Sequence, residues 1–189
     1  MNLAAQENLA ISHQEYQEGE QLSDIRHEYL AGQVFAMAGA GEKHNRIAGN
    51  LFFHLRAAAR GKPCGVFISD MKLRVEQNDA YYYPDVMVTC DPEDSELLHK
   101  RLPCLIVEVL SPATEAIDRR EKLIAYRSLP SLRYYLLVSQ EKRQVECYAR
   151  AADGRWLITV VDNEGVLEFI CDDLKASFSL DDIYEDVRL

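Results

Sequence analysis

The stretch Leu105-Ile106-Val107-Glu108-Val109-Leu110-Ser111-Pro112 decides the fold. Its first six residues are apolar at odd and even positions except for Glu108, a pattern typical of a strand covered on both faces. Ser111 is a preferred helix N-cap and Pro112 suits the first helical position, so a helix should begin here and end near Ser128. A buried strand followed directly by a helix predicts the centre of a sheet with a helix packed on it.

Strand and helix patterns continue on both sides of this stretch. Upstream, Ala31-Gly32 separates the two strands of a predicted hairpin, and Ile47, Leu51 and Leu55 recur at helical spacing before Gly61. The predicted elements outside the central stretch are a hairpin at 26–30 and 33–37, a helix at 44–60, strands at 65–68, 72–76, 81–89, 132–139, 143–149, 155–161 and 166–170, and a short helix at 180–187. This order predicts a mixed β-sheet flanked by helices, an α/β (α+β mixed) fold.

The composition predicts a single soluble domain. The chain has 189 residues, of which 48% are hydrophobic and 28% are charged, and a chain of this length buries roughly two thirds of its unfolded surface. No repeat or Pro/Gly/Ser-rich linker divides it. We therefore expect one domain over residues 21–189, preceded at 1–20 by a polar stretch that forms a short helix or an arm. Because no run approaches about 18 apolar residues, no membrane span is predicted.

The N-terminal sequence and the cysteines predict a cytoplasmic protein. Residues 1–7 lack the basic segment followed by an apolar one that directs export. The cysteines are odd in number, widely scattered and without a CxxC pair, which indicates reduced packing residues and argues against a zinc site. They are Cys64, Cys90, Cys104, Cys147 and Cys171.

The charge distribution restricts the kind of nucleic-acid partner. With 21 basic and 31 acidic residues the net charge is −10, which argues against a histone-like protein with a broad basic face. An enzyme that holds nucleic acid in a local basic groove and through bound cations stays open. Basic residues of the central third form either such a groove or a solvated helix face: Lys100, Arg101, Arg119, Arg120, Lys122, Arg127, Arg133, Lys142 and Arg143.

Glu108 is the most informative residue, because a carboxylate in an aliphatic strand is costly to bury unless it is paired, protonated or bound to a metal. Asp85 shares the parity of Met87 on a neighbouring predicted strand and can face the same side. Two carboxylates on adjacent strands suit Mg²⁺ or Mn²⁺. The alternatives are a buried salt bridge for Glu108 and a turn residue after proline for Asp85.

Lys122 can reach the same point from the following helix. It lies ~15 Å along that helix, at ~1.5 Å per residue, while Glu108 lies ~10 Å below the end of its strand. Because helical side chains tilt toward the helix N-terminus, the ammonium reaches back toward Glu108. Asp118 and Tyr126 lie one turn to either side and would orient it. The alternative is a surface i,i+4 pair with Asp118.

Three further residues are weaker candidates. Glu28, on the first hairpin strand, is a candidate metal ligand. His44 opens a helix, where backbone amides favour anions, so it would contact a phosphate or act as a base. Its alternative is an exposed histidine at a helix start. Asp70 is a candidate ligand that would otherwise precede a strand as a cap.

These residues resemble the Uma family of restriction-endonuclease-like proteins, a branch of the PD-(D/E)xK nuclease superfamily. The similarity spans residues 20–185 and rests on Tyr83-Pro84-Asp85-Val86, on residues 106–114, on Asp118, Lys122 and Tyr126, and on residues 27–33, 43–47 and 69–72. The resemblance implies a restriction-endonuclease-like fold with a central mixed sheet. It also implies Mg²⁺-dependent phosphodiester cleavage, with Asp85 and Glu108 as the metal-binding pair and Lys122 as the motif lysine.

One position departs from the superfamily pattern. The motif lysine usually stands two residues after the acidic residue, where this chain has Leu110. The family pattern implies that the lysine has moved to the following helix, which is where the distances place Lys122.

We therefore expect a Mg²⁺- or Mn²⁺-dependent endonuclease acting on DNA. Asp85, Glu108, Glu28 and the carbonyl of Val109 would hold the ion, and His44 would contact the phosphate. A homodimer would pool two basic grooves and offset the acidity. The alternatives are a non-catalytic oligomeric or nucleic-acid-sensing module of the same fold and a small-phosphodiester hydrolase.

Overall fold

One strand, Pro103–Leu110, lies at the centre of the main sheet of the computed structural model, which describes residues 10–189. Every residue of this strand is buried, because strands flank it on both sides and other elements cover both faces. Val107 points into one hydrophobic core and Ile106 into another. This confirms the prediction of a strand covered on both faces, and the alternation along the strand leaves Glu108 on the Ile106 side.

Short helices and strands make up the rest of the described chain. The helices are α1 (His13–Leu22), α2 (Glu42–Ala58), α3 (Glu115–Ile117), α4 (Leu123–Arg127) and α5 (Leu180–Ile183). The strands are β1 (His27–Leu30), β2 (Gln33–Ala36), β3 (Gly65–Ile68), β4 (Lys72–Val75), β5 (Ala80–Tyr82), β6 (Val86–Thr89), β7 (His99–Lys100), β8 (Pro103–Leu110), β9 (Tyr134–Ser139), β10 (Gln144–Arg150), β11 (Trp156–Asp162), β12 (Val166–Cys171) and β13 (Leu174–Ser179). A π-helical segment, Asp118–Lys122, joins α3 to α4.

The strands form two mixed sheets and a separate hairpin. The larger sheet has the order β11-β10-β9-β8-β6-β3, with β8 parallel to β9 and antiparallel to β6. The smaller sheet has the order β2-β1-β5-β4-β7, and β12 pairs with β13. The segment from α3 to α4 provides the crossover that the parallel pair β8–β9 requires. This arrangement confirms the predicted mixed sheet flanked by helices and the mixed α+β fold class.

The predicted strand at 81–89 is two strands in different sheets, so that prediction is wrong. β5 ends at Tyr82 in the smaller sheet, and β6 begins at Val86 in the larger one. Pro84 has no backbone N–H and restricts the conformation of Tyr83, which interrupts any continuous ladder here. The interruption places Asp85 where the chain passes from one sheet to the other.

The helix predicted to begin at Pro112 begins instead at Glu115. Ser111 closes a turn before it: the Thr114 N–H donates to the Ser111 Oγ at 3.2 Å, and the Glu115 N–H donates to the Ser111 carbonyl at 2.9 Å. The π-helical segment that follows α3 is a rare conformation that concentrates at functional sites. It carries Lys122 at its last position.

Helix α1, near the start of the described chain, packs on the smaller sheet through Tyr16, which contacts Tyr29 and Tyr81. Residues 1–9 of the predicted N-terminal stretch lie outside the described residues, and α1 buries Tyr16 and Glu20 after a Ser12–Glu15 capping box.

The prediction missed β7, which has two residues, and β13, whose exposed positions alternate with buried ones but include weak strand formers. Among residues 10–189, no helix combines the length and the apolar character that a bilayer span requires.

Four of the five cysteines form disulfides, so the prediction of reduced cysteines is wrong for them. Cys64 pairs with Cys90 at the end of the β3–β6 ladder, and Cys104 of β8 pairs with Cys171 of the β12–β13 hairpin. These pairings depend on tertiary contacts between residues 26 and 67 positions apart, which spacing alone does not reveal. Cys147 is buried and free, and burial raises its pKa to about 11. The cytoplasmic location stays a prediction.

Thiol titration checks the cysteine pairing. Protein purified without reductant and then unfolded should expose one thiol, that of Cys147, to a chromogenic thiol reagent, and all five after reduction. A Cys147→Ser variant, treated in the same way without reduction, should show none. Five reactive thiols in the unreduced protein would contradict the pairing.

Candidate active site

Asp85 and Glu108 meet at the junction of β6 and β8. Val86 pairs with Val107 in the antiparallel ladder, so Asp85 stands opposite Glu108. The Asp85 N–H donates to the Glu108 Oε2 at 3.4 Å, and the Val109 N–H donates to the Asp85 Oδ2 at 2.7 Å. The structure therefore brings together the two carboxylates that strand parity predicts on one face, and Asp85 is more than a turn residue.

Lys122 reaches this pair from the crossover helix. Its Nζ lies 3.2 Å from the Glu108 Oε1, 3.0 Å from the Glu28 Oε1 and 3.4 Å from the Asp118 Oδ1. The lysine is only 5% exposed, which rules out the surface-pair alternative. Tyr126 donates a hydrogen bond from its hydroxyl to the Glu108 Oε1 at 2.7 Å, so it orients the carboxylate of Glu108 and not, as predicted, the side chain of Lys122.

Burial and neighbouring charges both shift the pKa values of Glu108 and Lys122. Burial raises the pKa of Glu108 well above its usual range, and the charges of Asp118, Asp85 and Glu28 add to this increase while Lys122 opposes it. Burial lowers the pKa of Lys122, but Glu108, Glu28 and Asp118 outweigh burial and raise it overall. Lys122 is therefore held in the charged form, and the carboxylates share its charge.

Asp118 contributes an oxygen that is not fully satisfied. Its Oδ1 is within ion-pair distance of Lys122, yet it has no hydrogen bond of acceptable geometry among residues 10–189. Burial raises the pKa of this carboxyl, partly offset by the charge of Lys122. The Tyr135 hydroxyl donates to the Asp118 carbonyl at 3.0 Å and anchors the π-helical segment from β9.

His44 lies at the same site, in the first turn of α2. Its Nε2 is 3.1 Å from the Asp85 Oδ2, and the side chain is mostly buried, so the exposed-histidine alternative is wrong. Burial lowers the pKa of His44, but the hydrogen bond and charge of Asp85, the charge of Asp118 and a backbone hydrogen bond to Val109 raise it overall. The imidazole is therefore easier to protonate than an ordinary histidine, and it lies against the Asp85 oxygen for which a bound cation would compete.

The other two candidates differ in position. Glu28 is at the centre, since its Oε1 contacts Lys122 and accepts a 3.4 Å hydrogen bond from the Tyr83 N–H. Asp70 lies at the exposed rim, where its carboxylate pairs with Arg26 at 3.4 Å. The structure thus brings Glu28 to the site and leaves Asp70 beside its opening.

Tyr83 and Glu20 form a supporting group behind the site that was not predicted from the sequence. The Tyr83 hydroxyl donates to the buried Glu20 Oε1 at 2.8 Å, and Glu20 also accepts the His27 N–H at 3.0 Å. This pair anchors α1 to the segment that carries Asp85. The sequence signal that could have pointed to Tyr83 is its position directly before Pro84 and Asp85.

The site opens into a cleft of about 430 Å³. Its floor contains Asp85, Glu108, Asp118, Lys122 and His44, and its mouth includes the small residues of the loop before α2 at 39–41. Four acidic groups, counting Glu28, face one lysine and one histidine. The floor is thus negatively charged, and an anionic substrate would need additional cations there.

The carboxylate oxygens of the site provide some, but not all, of the ligands that a hard divalent cation such as Mg²⁺ takes. Among the described residues, no three His, Cys, Asp or Glu side chains converge in a geometry that would hold an ion alone. Mg²⁺, however, commonly uses one or two carboxylates and takes the remaining ligands from water and substrate phosphate. The pair Asp85 and Glu108, with the unsatisfied Asp118 oxygen nearby, meets that requirement.

The family model named Uma2, described as "Putative restriction endonuclease", matches residues 13–181. The chain belongs to this family. Uma2 membership agrees with the resemblance drawn from residues 83–86, 106–114 and 118–126. Family membership supports a nuclease.

Two relatives and one solved structure extend this comparison. The "Uncharacterized protein slr1290" of Synechocystis sp. is 38% identical over 175 residues, which cover 92% of this chain and 91% of the relative. The "Uncharacterized protein sll1609" of the same organism is 34% identical over 82% of this chain and 90% of its own length. A crystal structure of a "putative nuclease belonging to DUF820" from Anabaena variabilis superposes with a TM-score of 0.68 at 14% identity, over 86% of this chain and 91% of that one. The last similarity shows a shared fold.

Replacement of Lys122 tests the electrostatics of the site. In Lys122→Met, Glu28, Glu108 and Asp118 lose the cation that they share, and the free energy of unfolding should fall by about 3–5 kcal/mol at pH 8. Without Lys122 the pKa of Glu108 rises further, so between pH 8 and pH 5 the folded variant takes up a proton while the carboxylate of the unfolded chain is still ionised. The loss of stability should therefore be smaller at pH 5 than at pH 8.

Urea unfolding at the two pH values measures this difference. The matched control is Lys142→Met, since Lys142 is exposed and its replacement should change stability by no more than about 0.5 kcal/mol. An equal loss at both pH values, or no loss, would contradict the electrostatic interpretation.

Proposed function

We propose that this Uma2 protein is a Mg²⁺- or Mn²⁺-dependent endonuclease that hydrolyses phosphodiester bonds in DNA. The observation that carries the proposal is the convergence of Asp85, Glu108 and Lys122 at the floor of an open cleft. Two carboxylates and one ammonium from three separate elements form the arrangement that cation-assisted attack on a phosphate requires.

Asp85, Glu108 and the Val109 carbonyl would hold the cation, with Glu28 as a further oxygen donor. When bound, the ion lowers the pKa of a water molecule and neutralises charge on the scissile phosphate. Asp85 keeps its orientation through the Val109 N–H, and Glu108 keeps its own through Tyr126. These hydrogen bonds fix the oxygens before substrate arrives.

Lys122 would stabilise the charge that develops on the phosphate and orient the attacking water. Its ammonium stays protonated because three carboxylates raise its pKa, so its role is electrostatic and not that of a base. His44, which lines the same cleft, would donate a hydrogen bond from its ring N–H to a phosphate oxygen. Both groups lose part of their carboxylate contacts when a cation and a substrate enter.

Fewer arginines are available to the predicted basic groove than the sequence indicates. Arg119 forms a two-bond ion pair with Glu146 and another with Glu115, and Arg127 lies over the Trp156 ring. These arginines act in local structure, as in the solvated-face alternative. Binding of DNA would therefore depend largely on bound divalent ions, since the rim residue Arg26 is itself paired with Asp70.

A non-catalytic module of the same fold is the second candidate. It is favoured by one observation: Glu28, Glu108 and Asp118 already balance Lys122 without a metal, in a chain with Leu110 at the usual lysine position. Such a protein would bind divalent ions or nucleic acid without cleaving it.

Nicking of supercoiled plasmid distinguishes these functions. The wild type should nick in Mg²⁺ or Mn²⁺ and stop when EDTA is added. Asp85→Asn and Glu108→Gln should each lower the rate about 100-fold or more, corresponding to about 2.7 kcal/mol of transition-state stabilisation. Both substitutions preserve side-chain size.

The matched control is Glu168→Gln, an exposed acid on β12 that should leave the rate unchanged. Calorimetric titration with Mn²⁺ runs in parallel. Heat in the wild type that Asp85→Asn abolishes, without nicking, would favour the non-catalytic module. Nicking that survives both Asp85→Asn and Glu108→Gln would overturn the proposed site.

A further inference from the structure

β11 presents a free sheet edge with an unusually apolar sequence. It is the last strand of the larger sheet, and no described strand pairs with its outer side. Residues Trp156-Leu157-Ile158-Thr159-Val160-Val161 contain no charge and no proline. Leu157, Ile158 and Val160 are 53%, 62% and 51% exposed.

The usual protections of an edge strand are missing from β11. Its seven residues pair with β10 in one uninterrupted register from Asp162 to Trp156, so no bulge turns the edge away. Soluble proteins normally protect such edges with lysine, proline, bulges or a covering element. A long, regular and apolar edge therefore indicates a strand that another strand completes.

The ends of β11 carry charges that no described ion pair neutralises, although Arg150 donates hydrogen bonds to the carbonyls of Pro130 and Arg127 at 2.8 Å each. Arg150 and Arg127 lie over the Trp156 ring, at 4.7 and 5.7 Å from its centre, and no carboxylate pairs with either among residues 10–189. Burial and the neighbouring Arg127 lower the pKa of Arg150. At the other end Asp162 is exposed, and no described cation pairs with it.

These charges match when β11 is paired with itself. An antiparallel pair related by a two-fold axis through Thr159 sets Trp156 opposite Asp162 of the second copy, since 156 and 162 are equidistant from 159. Asp162 of the second copy then lies next to Trp156 and nearest the exposed Arg127, twice per dimer, while Arg150 lies on the β10 side of the Trp156 ring. The same register sets Leu157 opposite Val161 and Ile158 opposite Val160, which makes apolar cross-strand pairs.

We propose that the outer edge of β11 is the surface on which two copies of this chain join, antiparallel, with Thr159 on the two-fold axis. The two six-stranded sheets become one continuous twelve-stranded sheet. Backbone hydrogen bonds supply the pairing, and the Trp156–arginine groups at the two ends set its register. This proposal does not depend on the nuclease function.

Sedimentation equilibrium tests the surface. The wild type should have twice the chain mass of 21.6 kDa, and Val160→Lys should have 21.6 kDa because it introduces a charge into the edge. The matched control is Val166→Lys, another valine on a strand and 60% exposed, which should stay dimeric. A wild type that sediments at 21.6 kDa, or a Val160→Lys that stays dimeric, would overturn the proposal.

Cysteine cross-linking tests the register independently of stability. In Thr159→Cys the two new thiols face each other across the axis and should form a dimer on oxidation, seen on a non-reducing gel. In Leu157→Cys the thiol faces Val161 of the second copy, so no cross-link should form. Equal cross-linking of both variants would overturn the assigned register.

Charge reversal tests the ends of the strand. Asp162→Arg should weaken the dimer about tenfold or more, because it sets a like charge next to Arg127 in each copy. Adding Arg127→Asp should restore most of the affinity. Dimers of equal affinity in all three proteins would show that the charges do not face each other and would overturn the pairing.

Discussion

A single buried ammonium holds the cleft together. Lys122 contacts Glu28 from β1, Glu108 from β8 and Asp118 from the crossover, so one cation joins both sheets and the helix between β8 and β9. Removing charges from water costs several kcal/mol per ion and is offset only by close, well-oriented partners. This contact adds to the hydrophobic core that the two sheets share, which includes Leu73 of the smaller sheet and Ile106 of the larger one, and the cleft lies where the sheets meet.

The same contact would couple the binding of a cation to that of a phosphate under the proposed function. Four acidic groups surround one lysine and one histidine in a chain of net charge −10. A cation that neutralises Asp85 and Glu108 would release part of the hold on Lys122 and His44, leaving both cationic groups available to an anionic ligand. Cation and substrate would thus bind in support of each other, as the proposed endonuclease requires.

Much of the site follows from short-range rules applied to the sequence. The position of Glu108 in an aliphatic strand, the parity of Asp85 and the depth of Lys122 in the next helix depend on strand and helix geometry alone. The break at Pro84, the π-helical segment and the Cys104–Cys171 bond depend on which elements pack together, so local patterns do not reveal them. The role of Tyr126 illustrates the difference: its spacing from Lys122 was visible, but its bond to Glu108 depends on the fold.

The proposed cation site consists of Asp85 and Glu108 beside Lys122. Its most direct test is a crystal of the wild-type protein soaked in Mn²⁺, with diffraction data collected at the manganese absorption edge. The predicted result is an anomalous peak between the Asp85 and Glu108 carboxylates, at normal metal–oxygen distances of about 2.0–2.2 Å. The absence of a peak there, with both carboxylates still bound to their protein partners Lys122, Tyr126, His44 and the N–H groups of Val109 and Asp85, would contradict this proposal.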